Sequence, residues 1–341
     1  MQRLNIEQAE KLWQEENLFN LGRQAHEVRT ELHPQKVVTY IVDRNINYTN
    51  ICSCGCKFCA FFRPPGSKDG YVLSFAELGR KISQAVKLGG VQILLQGGMN
   101  PSLDLGFYQQ MLEYIKDRFP SVAVHGFSPP EIVYLSEKSK LSIVETISVL
   151  RSSGLDSIPG GGAEILVDRV RTELSARKCT SKEWLEVMRQ AHLHGIKTTA
   201  TMMFGHVETF EERLLHLQKL RSLQDETGGF TAFIPWTFQP GNTQVRTGEA
   251  SSVEYLKFLA LSRIFLDNIP NIQASWVTQG AKVGQLALLW GANDFGSTMI
   301  EENVVAAAGV SYKMQEKELR FLVKGAGFEP RKRRMDYSLV G

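Results

Sequence analysis

No stretch of this 341-residue chain carries the ~18–20 continuous apolar residues that a membrane-spanning helix requires, so such a helix is excluded on length alone. Charge of one sign is scarce too: 39 Lys and Arg stand against 36 Asp and Glu, a net charge of +3. So slight an excess argues against a nucleic-acid partner, whose phosphates select for basic faces. The one basic run, Arg331-Lys332-Arg333-Arg334, reads as a solvated tail. No linker rich in Pro, Gly or Ser interrupts the chain, so residues 37–341 read as one domain behind an N-terminal helical extension, 1–36. Met1-Gln2-Arg3-Leu4-Asn5 leads into an acidic amphipathic stretch instead of an apolar signal core. The cytoplasm is therefore the expected compartment. Cysteine is sparse, five in all, yet Cys52, Cys54, Cys56 and Cys59 crowd together while Cys179 stands alone. Such crowding makes a poor disulfide framework and a good metal site in a reducing compartment.

What the chain does have is alternation. Apolar, β-rich runs fall at Val37–Asp43, Val91–Gln96, Val122–Phe127, Leu155–Ile158, Ile196–Phe204, Phe230–Trp236, Ile272–Val277 and Leu286–Trp290. Amphipathic segments lie between them, with start signals at Ser74–Glu77, Thr180–Glu183, Thr209–Glu212 and Ser251–Glu254. Each reads as a capping box, in which the hydroxyl accepts from a free N–H and the Glu reaches back to the cap. The helix after Ser74 should turn Leu78, Ile82 and Val86 inward, and the one after Thr180 should bury Trp184, Leu185, Met188 and Ala191. Repeated strand–helix units predict parallel strands with helical crossovers, hence an α/β (β/α)8 TIM-type barrel, with a partial (β/α)6 barrel as the fallback.

Cys52-x-x-x-Cys56-x-x-Cys59 places three thiolates in the loop after the first predicted strand, where barrel enzymes bind their ligands. Three protein ligands on a [4Fe–4S] cube leave one iron open, able to chelate the amino and carboxylate groups of S-adenosylmethionine (SAM). Zinc would call for a second knuckle or partner histidines, and none follows. Cys54 as a fourth ligand would close the site and leave a metal-binding or electron-transfer module. Phe58 is suited to pack on the adenine ring. Gly97 and Gly98, ending the second strand, allow a close backbone approach to a ligand or a plain turn. Glu164, after a three-glycine loop, is a candidate for SAM's ribose or amino group, and Arg177 or Lys178 for its carboxylate. Asn45 and Asn47 are polar residues at the end of an apolar strand and are candidate substrate contacts. His206 and Glu208, just past the fifth strand, are the candidate general bases, with His125 after the third strand as another. Met202 and Met203 read as core.

The Cys-x-x-x-Cys-x-aromatic-Cys string resembles the hallmark of the radical SAM superfamily. Tyr40–Asn50 is similar to one branch, the cyclic dehypoxanthine futalosine synthases of the futalosine route to menaquinone. Gln96–Pro101, Pro159–Glu164, Thr199–Glu208 and Asn293–Ser297 extend the likeness over nearly the whole chain. Where radical SAM enzymes often carry Gly-Gly-Glu, this chain has Met99 after Gly97-Gly98, so no carboxylate acts there. The resemblance implies a deoxyadenosyl radical that takes hydrogen from ribose C4′ of a nucleoside-like benzoate, with ring closure onto the benzoate. It also implies a flavodoxin or ferredoxin reductant. Aminofutalosine synthase and the FO synthases share several of the later strings and remain the alternatives.

Overall fold

The structure, a computed structural model, describes residues 3–340. Its strands are β1 Val37–Ile41, β2 Asp43–Asn47, β3 Gln92–Gln96, β4 Ala123–Gly126, β5 Ser157–Ile158, β6 Lys197–Phe204, β7 Phe230–Thr237, β8 Asn271–Ile272, β9 Asp294–Ser297 and β10 Glu329–Lys332. Strands β2 to β8 form a seven-stranded parallel sheet in chain order, its neighbours joined by helical crossovers. Its open side is spanned by β9. A parallel bridge joins Gln273, just past β8, to Asp294. Strand β9 pairs in turn with β1, which runs through Val42 into β2, and β10 pairs with the other edge of β1. The expected barrel is therefore present as a curled seven-stranded sheet whose gap is filled by a second, three-stranded one.

Seven of the eight expected strand runs coincide with observed strands in whole or part. Leu286–Trp290 does not: it spans the end of the helix Ala281–Ala287 and the turn after it, and the strand comes later, at β9. Gly284, Ala287 and Leu288 are buried while Leu286 and Leu289 are exposed, which is helical spacing and not the alternation of a strand. Strand β8 is only two residues long, and Trp276 begins a short helix, Trp276–Gln279, beyond it. The N-terminal segment is helical as expected, over Ile6–Glu15 and Leu18–Leu32.

Helix starts follow the sequence signals. Reciprocal capping boxes form at Ser74, Thr180 and Thr209. At Ser251 the hydroxyl caps the helix, but Glu254 turns away to Arg213, 2.7 Å off. The helix Phe75–Lys87 buries Leu78, Ile82 and Ala85; Val86 faces outward, a correction of one residue in the apolar stripe. In the helix Ser181–Leu193, Trp184, Val187, Met188 and Ala191 form the buried face, with Leu185 at its margin. Met202 and Met203 are core.

The basic run is not a solvated tail throughout. Strand β10 carries the chain under the barrel, and Arg333 is only 6% exposed, its guanidinium gripping Asp294 at 2.5 and 3.0 Å. Burying a charge is tolerable only with such a partner. Thr39 Oγ1 and the Gly296 N–H also donate to Asp294, at 2.5 and 2.8 Å. Arg331 and Arg334 remain exposed.

Candidate active site

Residues 48–74, between β2 and the helix Phe75–Lys87, hold the four clustered cysteines. Short polar side chains staple the base of this loop. Thr49 Oγ1 donates to the Tyr71 carbonyl at 2.6 Å. Asn50 accepts from the Tyr71 N–H at 2.8 Å and donates to the Asp69 carbonyl at 3.0 Å. The Cys52 N–H donates to the Arg63 carbonyl (2.8 Å) and the Ser53 N–H to the Met99 carbonyl (3.0 Å), drawing the loop onto the end of β3. Gly97 and Gly98 make that approach possible. A Cβ on Gly97 would sit 2.4 Å from the Tyr48 ring, and one on Gly98 2.2 Å from the Ile51 carbonyl oxygen. No side chain fits at either contact.

All four thiols of the loop line one cavity of ≈ 180 Å³, with Phe58, Gly97, Gly98 and Lys178 in its walls. All five cysteines of the chain are free. The Cys54 and Cys56 sulfurs are 3.3 Å apart. The hydrogen bond from Cys54 holds the Cys56 thiol below its ordinary range against the effect of burial, and the Lys178 ammonium assists. Sharing that proton pushes Cys54 up, and burial pushes Cys59 up to about 11. Iron binds sulfur, and four closely spaced cysteines around one cavity are a donor set that suits an iron–sulfur cluster. Among the described residues no three His, Cys, Asp or Glu side chains converge on a single ion. Thiols spread around a cavity suit the separate irons of a cube better than one zinc.

Lys178 is buried beneath this cavity. Its Nζ lies 3.1 Å from Glu164 Oε1 and 4.8 Å from the Phe58 ring centre. Burial alone would lower the lysine pKa, but Cys56 and Glu164 more than reverse that, and the net shift is upward. Glu164 sits at φ 41° in the left-handed region, where its carbonyl accepts from the Met203 N–H, and its other oxygen is 3.8 Å from Arg171. Arg177 Nε donates to the Cys54 carbonyl at 3.0 Å.

Glu164 also borders a second cavity, of ≈ 260 Å³, which shares Gln96 and Gly162 with the first. Its walls are inward-facing strand residues: Asp43 of β2, Gln92 and Gln96 of β3, His125 of β4, Thr199 and Thr201 of β6. Arg333 forms part of the floor. Asp43 accepts from Gln92 Nε2 at 3.1 Å and from the Ser297 hydroxyl, and burial pushes its carboxyl upward.

The site residues expected from sequence divide between these places. Cys52, Cys56, Cys59, Phe58, Gly97, Gly98, Lys178 and Asn47 line the first cavity, and Glu164 the second. Asn47 Oδ1 accepts from Asn303 at 3.1 Å. Asn45 is buried with its Oδ1 unpartnered and lines neither cavity. His206 and Glu208 are not brought to either cavity. They bond one another at 2.8 Å, both side chains fully buried, and His206 Nε2 contacts the Met203 carbonyl at 2.9 Å. Glu208 also takes the Gly205 and His206 N–H groups and Arg213 Nε, at 2.6, 2.9 and 2.8 Å. Although burial opposes ionisation, these partners, His206 first, hold its pKa down to about 2. The pair caps the turn after β6 and has no free lone pair for catalysis.

Sequence reasoning missed Glu131. It is buried in the wall of the first cavity, accepting from the Tyr48 hydroxyl (2.6 Å), the Gly97 N–H (3.0 Å) and Ser128 (2.6 and 2.8 Å). The signal was there: Ser128-Pro129-Pro130-Glu131 is a capping box with proline in the first turn.

Comparison with known proteins agrees with this geometry. The radical SAM superfamily profile matches residues 46–220, and the CofH/MqnC C-terminal region profile matches residues 227–340. The chain is 46% identical to cyclic dehypoxanthine futalosine synthase of Halalkalibacterium halodurans, covering 99% of this chain and 92% of that protein. It is 41% identical to the protein of the same name from Streptomyces coelicolor, over 98% and 85% of the two chains. A 5-amino-6-(D-ribitylamino)uracil–L-tyrosine 4-hydroxyphenyl transferase of Methanosarcina barkeri is 44% identical, over 94% and 87%. Among solved structures, methylornithine synthase superposes with a TM-score of 0.76 at 18% identity, over 96% of this chain and 94% of that one, a likeness of fold. The chain therefore belongs to the radical SAM superfamily, in the branch that carries the CofH/MqnC C-terminal region, and is an enzyme that works with a [4Fe–4S] cluster and SAM.

Proposed function

We propose that this enzyme is a cyclase that converts dehypoxanthine futalosine to its cyclic form on the way to menaquinone. The observation that carries the reading is the 46% identity, across 99% of the chain, to a protein named for that activity. Cys52, Cys56 and Cys59 would hold the cluster, with Cys54 left outside it. Bound there, cluster and SAM would supply the radical chemistry needed to open the ribose C4′–H bond for closure onto the benzoate ring.

The chain's own residues position and enclose. The Lys178 ammonium, kept charged by Glu164, would meet SAM's carboxylate, and Phe58 would cover its adenine. Backbone groups at Gly97 and Gly98 would approach SAM's amino group, since no side chain stands in the way. Asn47 would contact the substrate where the two cavities meet. A flavodoxin or ferredoxin in the cytoplasm would deliver the electron.

The test is anaerobic turnover of the reconstituted enzyme with SAM, reductant and dehypoxanthine futalosine, followed by mass spectrometry. The expected result is deoxyadenosine together with a product two hydrogens lighter than the substrate. A transferase of the Methanosarcina type would instead consume 5-amino-6-(D-ribitylamino)uracil and tyrosine and leave dehypoxanthine futalosine untouched.

A further inference from the structure

Ring closure leaves a proton to be removed, and the two cavities offer few places for it. Glu131 has both oxygens bonded to Tyr48, Gly97 and Ser128. Glu164 is held by Lys178 and Arg171. Asp43 accepts from Gln92 and Ser297. Arg333 is bound to Asp294. His125 differs. Its Nδ1 lies 2.7 Å from Ser157 Oγ, while its Nε2 has no hydrogen-bond partner among the described residues, and the ring lies in the wall of the inner cavity. Strands β4 and β5 place these two residues directly opposite one another, so the serine fixes the ring from the neighbouring strand.

We propose that His125 Nε2 takes the proton released when the benzoate ring regains aromaticity, with Ser157 as a positioning residue that sets the tautomer. The assignment rests on the cyclase reading. After C4′ bonds to the ring, the ring holds one surplus electron and a saturated C–H carbon. The electron leaves to an acceptor of the iron–sulfur class. The C–H bond then breaks, its pair stays in the ring, and the proton passes to His125. The cation left by electron loss is a far stronger acid than an imidazolium, so a weak base suffices. Burial keeps the imidazole neutral, with a pKa of about 3, so the acceptor nitrogen is vacant at working pH.

The test compares wild type, His125→Gln, His125→Ala, Ser157→Ala, Ser157→Thr and Asp43→Asn by the ratio of cyclic product to deoxyadenosine. For His125→Gln the ratio should fall by roughly 10²-fold or more. Deoxyadenosine formation should persist, and substrate affinity of the reconstituted enzyme with SAM, by calorimetry without reductant, should stay within about twofold. Added imidazole should restore product to His125→Ala. Ser157→Ala should lower the ratio less and Ser157→Thr should recover it. A wild-type ratio in His125→Gln overturns the assignment, as does a loss confined to Asp43→Asn, or a loss of substrate binding that accounts for the whole defect. Absence of cyclic product from wild type overturns the cyclase reading itself and this role with it.

Discussion

The two cavities are neighbours built by opposite means. The outer one takes all its thiols from a single contiguous loop, residues 48–74, laid over Gly97 and Gly98 and held by backbone and short side-chain hydrogen bonds. The inner one is assembled from side chains on several strands and one arginine from β10's end, with Arg333 paired to Asp294 and Glu164 to Lys178. The outer wall therefore carries thiols that can take up a cluster without rebuilding the barrel. Most of the inner wall is fixed by its own hydrogen bonds, and the polar atoms left over, His125 Nε2 and Gln92 Oε1, are the ones open to a ligand. Binding chemistry is delegated to a loop, and shape to the scaffold.

Substitutions should separate the two regions. Replacing Cys52, Cys56 or Cys59 by Ala should drop SAM cleavage to background, read as deoxyadenosine, with little change in melting temperature, whereas Cys54→Ala should retain a cluster. Equal loss in Cys54→Ala would mean that all four thiols serve the cluster. At the floor the effect should be on stability. Arg333→Ala strands the buried Asp294 and should cost about 3–5 kcal/mol in urea unfolding, while Arg334→Ala, exposed one residue on, should stay within about 0.5 kcal/mol. Similar values for the two arginines would break the contrast between floor and tail.

Glu208→Gln should cost roughly 1.5–3 kcal/mol, since it weakens charged hydrogen bonds to Arg213 and His206. Turnover per folded molecule should hold. A loss of product with stability unchanged would return Glu208 to the chemistry. A further effect is with pH. His216 is buried and His192 half-buried, and burial lowers them to about 3 and about 4, so both are neutral. Below their ordinary value of ~6.5 the unfolded chain binds protons that the folded one refuses. Stability is therefore full above ~6.5 and is lost as pH falls toward 3–4. Urea midpoints should decline between about pH 7 and pH 5, and less so in His192→Gln; a midpoint that rises on acidification contradicts this.

The same contrast explains what was legible in the sequence. The cysteine loop is local, so spacing alone exposed it, as it did the caps at Ser74, Thr180 and Thr209. The inner cavity is not local. Asp43, His125, Ser157 and Arg333 meet only through strand register, and nothing near Arg333 in sequence separates it from its solvated neighbours. His206 and Glu208 misled for a physical reason: the turn after a barrel strand is where catalytic groups stand, and here that turn is occupied by its own cap. The strand after Leu286–Trp290 was missed because Asp294–Ser297 has little apolar character, its Asp being reserved for Arg333.

The account's central claim is most directly tested with dehypoxanthine futalosine deuterated at ribose C4′. One deuterium should appear in deoxyadenosine, with none retained at C4′ of a cyclic product. Unlabelled deoxyadenosine formed alongside intact labelled substrate would contradict it.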